Sequence, residues 1–245
     1  MAGEVEGRSW FIVTGASGKV GSVLVQTLLE QFDDSFLLHY YRHADPLEAL
    51  KEKWARSDRL HLLQADLTEK KGIQKLIKEI DKINEKISVF IHLASIFPES
   101  PLENLNMRQM ERLFNIHVLA PLEVIRHLKG RFRPGGRIIL FSDAGTWVGY
   151  ERYLGYTMSR AMMESALPVL ARKLAPEVTI HGIAPYLVES TGDSGIGEKV
   201  LTEPVKMDAL VAIVLWLIKH GDSCTGRIFR LDSGRFVGMW GTEPL

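Results

Sequence analysis

Tyr156 and Arg160 stand four residues apart. Residues i and i+4 share one face of a helix, so a phenol and a guanidinium can enter one cleft together. A free phenol titrates near ~10. A cation beside it favours the phenolate and brings proton exchange toward neutral pH. The spacing therefore offers acid/base chemistry by a tyrosine. Taken alone, it describes equally well a half-buried aromatic beside a solvated charge, and the rest of the chain must decide.

Two further stretches carry chemistry. Thr14-Gly15-Ala16-Ser17-Gly18-Lys19-Val20-Gly21 is glycine-rich and falls between a β-rich run and an amphipathic one. Gly15 permits a tight turn, and Gly21 permits the following helix to pack close to the sheet. The backbone N–H groups and the helix dipole of such a turn suit a pyrophosphate. Gly18-Lys19 resembles part of a P-loop. Only two residues separate Gly15 from Gly18, and Val20 follows the lysine, so that motif is excluded. The second stretch is Leu38-His39-Tyr40-Tyr41-Arg42-His43. An acid at the end of a second strand selects NAD, whereas arginine suits a 2′-phosphate. Tyr41, Arg42 and His43 occupy that place and no carboxylate appears before Asp45, which favours NADP.

These residues need a scaffold, and the hydrophobic pattern supplies one. Strand-like runs at 9–14, 35–41, 60–64, 88–93, 137–142, 178–183 and 227–231 alternate with helical runs at 19–31, 46–55, 69–83, 107–128, 153–174 and 207–219. The pattern predicts a Rossmann-type, doubly wound α/β sheet of about seven parallel strands with helices on both faces. No linker composition or internal repeat divides residues 1–245, which read as one dinucleotide-binding domain. Ligands of such sheets bind beyond the carboxyl ends of the strands, where the unusual residues fall.

Bulk properties narrow the function classes. Thirty basic and 30 acidic residues cancel, leaving no electrostatic footprint for nucleic acid or an anionic membrane. Cys224 is the single cysteine, which excludes an intrachain disulfide and fits a reducing, cytoplasmic setting. The polar, acidic N-terminus does not read as a signal peptide. The longest apolar run, 209–218, is too short to span a bilayer. The eight histidines show no metal-ligand spacing, so no metal site is expected.

Taken together, these stretches resemble the short-chain dehydrogenase/reductases, most closely their pteridine reductase branch, over nearly the whole chain. Thr14-Gly15 to Gly21 is similar to the family's TGxxxGxG, with Lys19 as the basic residue found in that branch. His39-Tyr40-Tyr41-Arg42 is similar to its His-Tyr-x-Arg. Asp66-Leu67 matches the residues that border the adenine, and Ala94-Ser95 follows the fourth strand as the family's Ala-Gly or Ala-Ser does. The resemblance assigns Gly15, Ser17, Lys19, Val20, Gly21, Tyr41, Arg42, His43, Asp66, Leu67, Ala94, Ser95, Tyr156, Arg160, Pro185 and Leu187 to an NADP cofactor. It places Phe97 where an aromatic stacks on a pterin ring. Family members usually carry serine thirteen residues before the catalytic tyrosine, and the branch carries aspartate; here that residue is Asp143. Ser142 lies one residue out of register, and one residue reverses the face of a strand. Leu231-Asp232-Ser233-Gly234 resembles the family's closing Val-Asp-Gly-Gly.

The departures from the family are equally specific. Its lysine is Arg160, its helix asparagine falls on His117, its Asn-Asn pair is His92-Leu93, and a glycine after Pro185 is Tyr186. The resemblance thus implies a catalytic set of Asp143, Tyr156, Arg160 and His117. A small-molecule substrate, flat and heteroaromatic, contacts Phe97, Asp143 and Tyr156. Hydride passes from NADPH to a C=N or C=O bond. Association of copies through the Tyr156 helix and the long helix before it, as a tetramer or dimer, is expected from the resemblance alone. The Gly/Ser-rich stretch 191–199 is expected to form a lid. A second reading, a nucleotide-binding protein with weak or no catalysis and a sensing or interaction role, rests on the departures.

Overall fold

The computed structural model describes residues 8–54, 57–189 and 204–232. The expected lid at 191–199 and Ser233-Gly234 lie outside them. Seven strands form: β1 (Trp10–Thr14), β2 (Ser35–Tyr40), β3 (Leu60–Gln64), β4 (Ile87–His92), β5 (Phe132–Phe141), β6 (Val178–Pro185) and β7 (Ile228–Leu231). They join one sheet in the order β3-β2-β1-β4-β5-β6-β7, and every pairing is parallel. The order reverses between β1 and β4, so a crevice opens at their carboxyl ends.

Side chains alternate across the sheet because strand residues have a period of two. Ile12, Phe90, Ile138 and Ile180 face one layer, built from α3 (Lys70–Ile80), α5 (Ala120–Leu128) and α6 (Leu154–Leu174), while α4 (Met107–Phe114) packs Leu113 against Tyr150, Tyr153 and Tyr156. Phe11, Val13, Ile91 and Ile139 face the other, built from α1 (Lys19–Gln31), α2 (Asp45–Lys53) and α7 (Met207–His220). β4 is buried along its whole length, as a central parallel strand covered on both faces must be.

Two expectations need correction. The run 107–128 is not one regular helix: a π-helical stretch, Asn115–Leu119, separates α4 from α5. Pro121 explains it. Proline has no N–H to give to the carbonyl four residues back, and its ring crowds that carbonyl, which belongs to His117. The chain widens instead, and Ala120 N–H donates to Asn115 O. The fifth strand also begins at Phe132, five residues before the expected Arg137. Pro134-Gly135-Gly136 reads as a turn, yet Phe132 pairs with Ile87 and Gly136 with Val178.

Candidate active site

The turn after β1 is built on backbone proximity. Gly15 has φ of 71°, and a Cβ there would lie 2.7 Å from Ala94 N. A Cβ at Gly21 would lie 2.3 Å from Gly15 O and 2.8 Å from Ala16 O. Gly21 therefore lets α1 close onto the turn itself, rather than onto the sheet as expected. His39, at the end of β2, accepts from Gly15 N–H (3.2 Å) on Nδ1 and donates from Nε2 to Ala65 O (3.0 Å). It cross-links three consecutive strand ends. Burial holds it neutral, with a pKa lowered to about 4.

A cleft of about 410 Å³ opens above these ends. Gly15, Ser17, Tyr41, Arg42, His43, Asp66, Leu67, Ala94 and Ser95, all expected at a cofactor, line it. Gly18, which N-caps α1, lines it too. Lys19, Val20 and Gly21 form the first turn of α1 just behind. Pro185 ends β6, and Leu187 O accepts from Val205 N–H; neither borders this cleft. The Arg42 guanidinium lies 4.9 Å over the exposed Tyr41 ring. Partial burial pushes the Asp66 pKa up, but hydrogen bonds from Thr68 and Tyr41 and the charge of Arg112 outweigh it and hold the carboxylate low.

Helix α6 projects Tyr156, Arg160 and Glu164 from one face at successive i+4 steps. The Tyr156 hydroxyl donates to Asp143 Oδ2 at 3.0 Å. β5 stops at Phe141, two residues short of Asp143, so strand alternation does not reach the pair; Ser142 donates to Glu164 Oε1 at 2.6 Å. Asp143 Oδ1 accepts from Gly145 N–H (2.7 Å) and from the Tyr150 hydroxyl (2.8 Å). Burial raises the Asp143 pKa against the opposing pull of these donors and of Arg160.

Arg160 is buried beneath the tyrosine, its guanidinium 5.2 Å from the Tyr156 ring centroid. Nη1 donates to Phe141 O (2.7 Å) and Nη2 to Ser95 Oγ (2.6 Å). Its Nε has no hydrogen-bond partner among the described residues. The guanidinium does favour the phenolate, as expected. Burial of Tyr156 and the adjacent Asp143 outweigh it, and the phenol pKa is raised rather than lowered. Tyr156 therefore carries its proton at neutral pH.

His117 sits inside the π stretch, fully buried. Its Nε2 accepts from Ile96 N–H (3.4 Å), which can only donate, and from Ser95 Oγ (3.0 Å). Its Nδ1 then donates to Ser159 Oγ (2.8 Å), which donates to Tyr156 O (2.8 Å). The ring brackets the β4 loop to α6 and ends on a backbone carbonyl, not on the Tyr156 hydroxyl. Burial first, then Arg160 and His92, keep its pKa well below the usual range. Asn115 faces elsewhere, as its offset predicts, and donates to Thr68 O at 2.8 Å. His92 joins Thr14 Oγ1 (2.7 Å) to Ile116 O (2.9 Å), with its pKa lowered to about 3 by burial.

Phe97 is packed among tyrosines. It stacks on Tyr153 (4.1 Å, 13°) and meets Tyr156 edge-to-face (4.4 Å, 89°). One face of the expected stacking platform is thus already covered. Glu164 completes the frame. Besides Ser142 it accepts from Trp147 Nε1 (3.3 Å) and Arg230 Nη2 (2.7 Å). The single Thr146 hydroxyl hydrogen goes to Asp143 O at 2.7 Å, with Glu164 Oε1 3.3 Å from the same oxygen. A larger opening of about 810 Å³, between Phe97-Pro98 and Arg108 and Arg112 of α4, contains neither Asp143 nor Tyr156. No three His, Cys, Asp or Glu side chains come together as metal ligands among the described residues, and no helix there is long and apolar enough to cross a membrane.

Residues 9–201 match the family model for short chain dehydrogenases. The chain belongs to the short-chain dehydrogenase family. Among its relatives in that family, dihydromonapterin reductase of Escherichia coli strain K12 is 26% identical, covering 92% of this chain and 96% of that one. FolM alternative dihydrofolate reductase 1 from Brucella canis, solved with NADP, superposes with a TM-score of 0.82 at 23% identity, over 96% of each chain. The angucycline C-6 ketoreductase LanV, also solved with NADP, gives 0.79 at 20% identity, over 91% of this chain and 93% of that one. As a short-chain dehydrogenase, the chain falls within an oxidoreductase family and shares its Rossmann-type sheet. Sequence reasoning missed Tyr150, Ser159 and Glu164. Only Glu164 left a signal, one further i+4 step beyond Arg160.

Proposed function

We propose that this short-chain dehydrogenase is an NADPH-dependent reductase of a flat, pterin-like substrate, acting on a C=N or C=O bond. The observation that carries the reading is the contact of a protonated Tyr156 with Asp143, above a buried guanidinium that donates to Ser95, a residue lining the cleft that starts at Gly15. The cleft fits a dinucleotide: its glycine turn would be closed by a single Cβ, and behind its Ser95 the buried Arg160 Nε has no partner among the described residues. Gly15, Ser17 and Gly18 would take the pyrophosphate, with Lys19, Val20 and Gly21 forming the helix start behind them. Tyr41, Arg42 and His43 would meet the 2′-phosphate, Asp66 and Leu67 the adenosine, and Ala94, Ser95, Arg160, Pro185 and Leu187 the nicotinamide half. The names of the relatives point to pterin and folate substrates and to NADP.

When bound, NADPH supplies hydride. Tyr156 gives its proton to the nitrogen or oxygen that receives the electron pair of the reduced double bond. Arg160 steadies the phenolate left behind. Asp143, whose raised pKa fits a proton-holding carboxyl, returns a proton to Tyr156 or orients the substrate. His117 holds Ser95 and α6 in register and supplies no proton. Phe97 and Tyr153 form the flat wall against which the ring lies.

Apolar side chains stand exposed on the outer face of α6, at Met158, Met162 and Val169, and at Leu119 beside it. They support association of copies through this face. The reaction is tested by NADPH consumption with dihydrobiopterin, dihydrofolate and a quinone panel. Turnover of a dihydropterin, reduced about a hundredfold or more in Tyr156→Phe, is expected. Tight NADPH binding without turnover of any of these compounds would replace the reading with that of a catalytically weak binding protein.

A further inference from the structure

We propose that Tyr150 is a positioning residue for Asp143: it holds one carboxyl oxygen so that the other faces Tyr156 and the substrate. The inference deepens the reductase reading and rests on it for the role of Asp143. A carboxyl rotates easily about its terminal bond. Here that freedom is removed on one side only. Oδ1 accepts both Gly145 N–H and the Tyr150 hydroxyl, at 2.7 and 2.8 Å, whereas among the described residues Oδ2 accepts Tyr156 alone, at 3.0 Å. When Tyr156 turns its hydroxyl to a substrate, Oδ2 is the oxygen released.

The approach of Tyr150 is built into the backbone. A Cβ at Gly145 would lie 2.0 Å from the Tyr150 hydroxyl oxygen, so only glycine there lets the phenol reach the carboxyl. Tyr150 comes from the loop before α6, and its own backbone is fixed, with N–H donating to Thr157 Oγ1 and O accepting from Tyr153 N–H. The ring is buried and meets Phe97 edge-on at 5.9 Å. Burial, then the charge of Asp143 and its hydrogen bond, push the Tyr150 pKa far up. Tyr150 is therefore a donor at every working pH and does not itself exchange the reacting proton.

A donor to a carboxylate favours its ionised form, so Tyr150 opposes the burial that raises Asp143. The other charged or titratable groups facing Asp143 are Tyr156 and Arg160 of α6 and Arg230 of β7, with Tyr186 behind Tyr150.

The test follows Asp143 directly. Isotope-labelled aspartate carboxyl carbons are titrated by NMR, with Asp143→Asn assigning the signal. Tyr150→Phe is expected to raise the Asp143 titration by about one pH unit. Gly145→Ala, which keeps the phenol but bars its approach, is expected to shift it the same way. An unchanged Asp143 titration in these variants overturns the proposal. The measurement needs no turnover, so it is separate from the reductase reading: a shifted titration in a protein that reduces no pterin sinks that reading and leaves the positioning role standing. Where turnover is present, the limb of kcat/KM governed by Asp143 moves with the NMR value, and KM for NADPH stays within about twofold.

Discussion

At Tyr156 two neighbours pull in opposite directions. Arg160 favours the phenolate, Asp143 opposes it, and burial decides in favour of the protonated phenol. A cation four residues away was legible in the sequence; the desolvation that outweighs it was not, because it depends on Phe97, Tyr150 and Tyr153 closing around the ring. The same balance predicts the effect of Arg160→Lys. A lysine keeps the charge beside the phenol but cannot reach Phe141 O and Ser95 Oγ together, as the fork does. Activity is expected to stay within about tenfold of the parent while stability falls by about 1–2 kcal/mol. Turnover and the urea midpoint check this. A complete loss of turnover with an unchanged midpoint would show that the guanidinium fork serves the reaction rather than the fold.

At the scale of elements, local signals survived where the chain folds locally. α1 and β3 have the predicted limits because glycine and polar punctuation bracket them. β5 was underread, since a Pro-Gly-Gly stretch becomes strand only through pairing with β4 and β6. The π stretch was invisible to periodicity, although Pro121 marks it in retrospect. The site followed the same division. The glycine turn and the Tyr156 face were readable, whereas Tyr150, Ser159 and Glu164 join it only through tertiary contact. The turn itself gives a prediction. Gly21→Ala places a methyl group against Gly15 O and Ala16 O, backbone atoms that cannot swing aside. About 1–3 kcal/mol of stability is expected to be lost. NADPH affinity is expected to fall by at least about tenfold, read by fluorescence titration, as the turn opens away from the pyrophosphate. Gly18→Ala is milder, its Cβ meeting Gly15 O at 3.3 Å. Unaltered binding in Gly21→Ala would show that the turn is not the cradle.

Across the whole molecule, the carboxyl edge of the sheet is fastened by three buried histidines: His39, His92 and His117. All are neutral in the fold, and their pKa values are lowered, to about 4 for His39 and about 3 for His92. In the unfolded chain each would titrate near ~6.5. The unfolded state therefore takes up more protons as the pH falls. Their contribution is complete above pH ~6.5 and is lost on descending from there toward the folded values. With three such groups the slope reaches about 4 kcal/mol per pH unit at its steepest. Urea midpoints measured from neutral pH down to pH ~5 should fall steeply. A flat series would mean that these rings are protonated in the fold.

Glu164 has a consequence for where the cost of catalytic order is met. With donors from Ser142, Trp147 and Arg230 it ties its helix to the residue before Asp143, to Trp147 of the following turn and to β7. The helix that carries Tyr156 and Arg160 is thereby clamped to the loop that carries Asp143. Their relative placement is settled when the chain folds, so little conformational entropy remains to be lost when a substrate arrives. Binding energy from the substrate is then left for aligning the substrate itself, which ties the speed of the reaction to a carboxylate that never touches it.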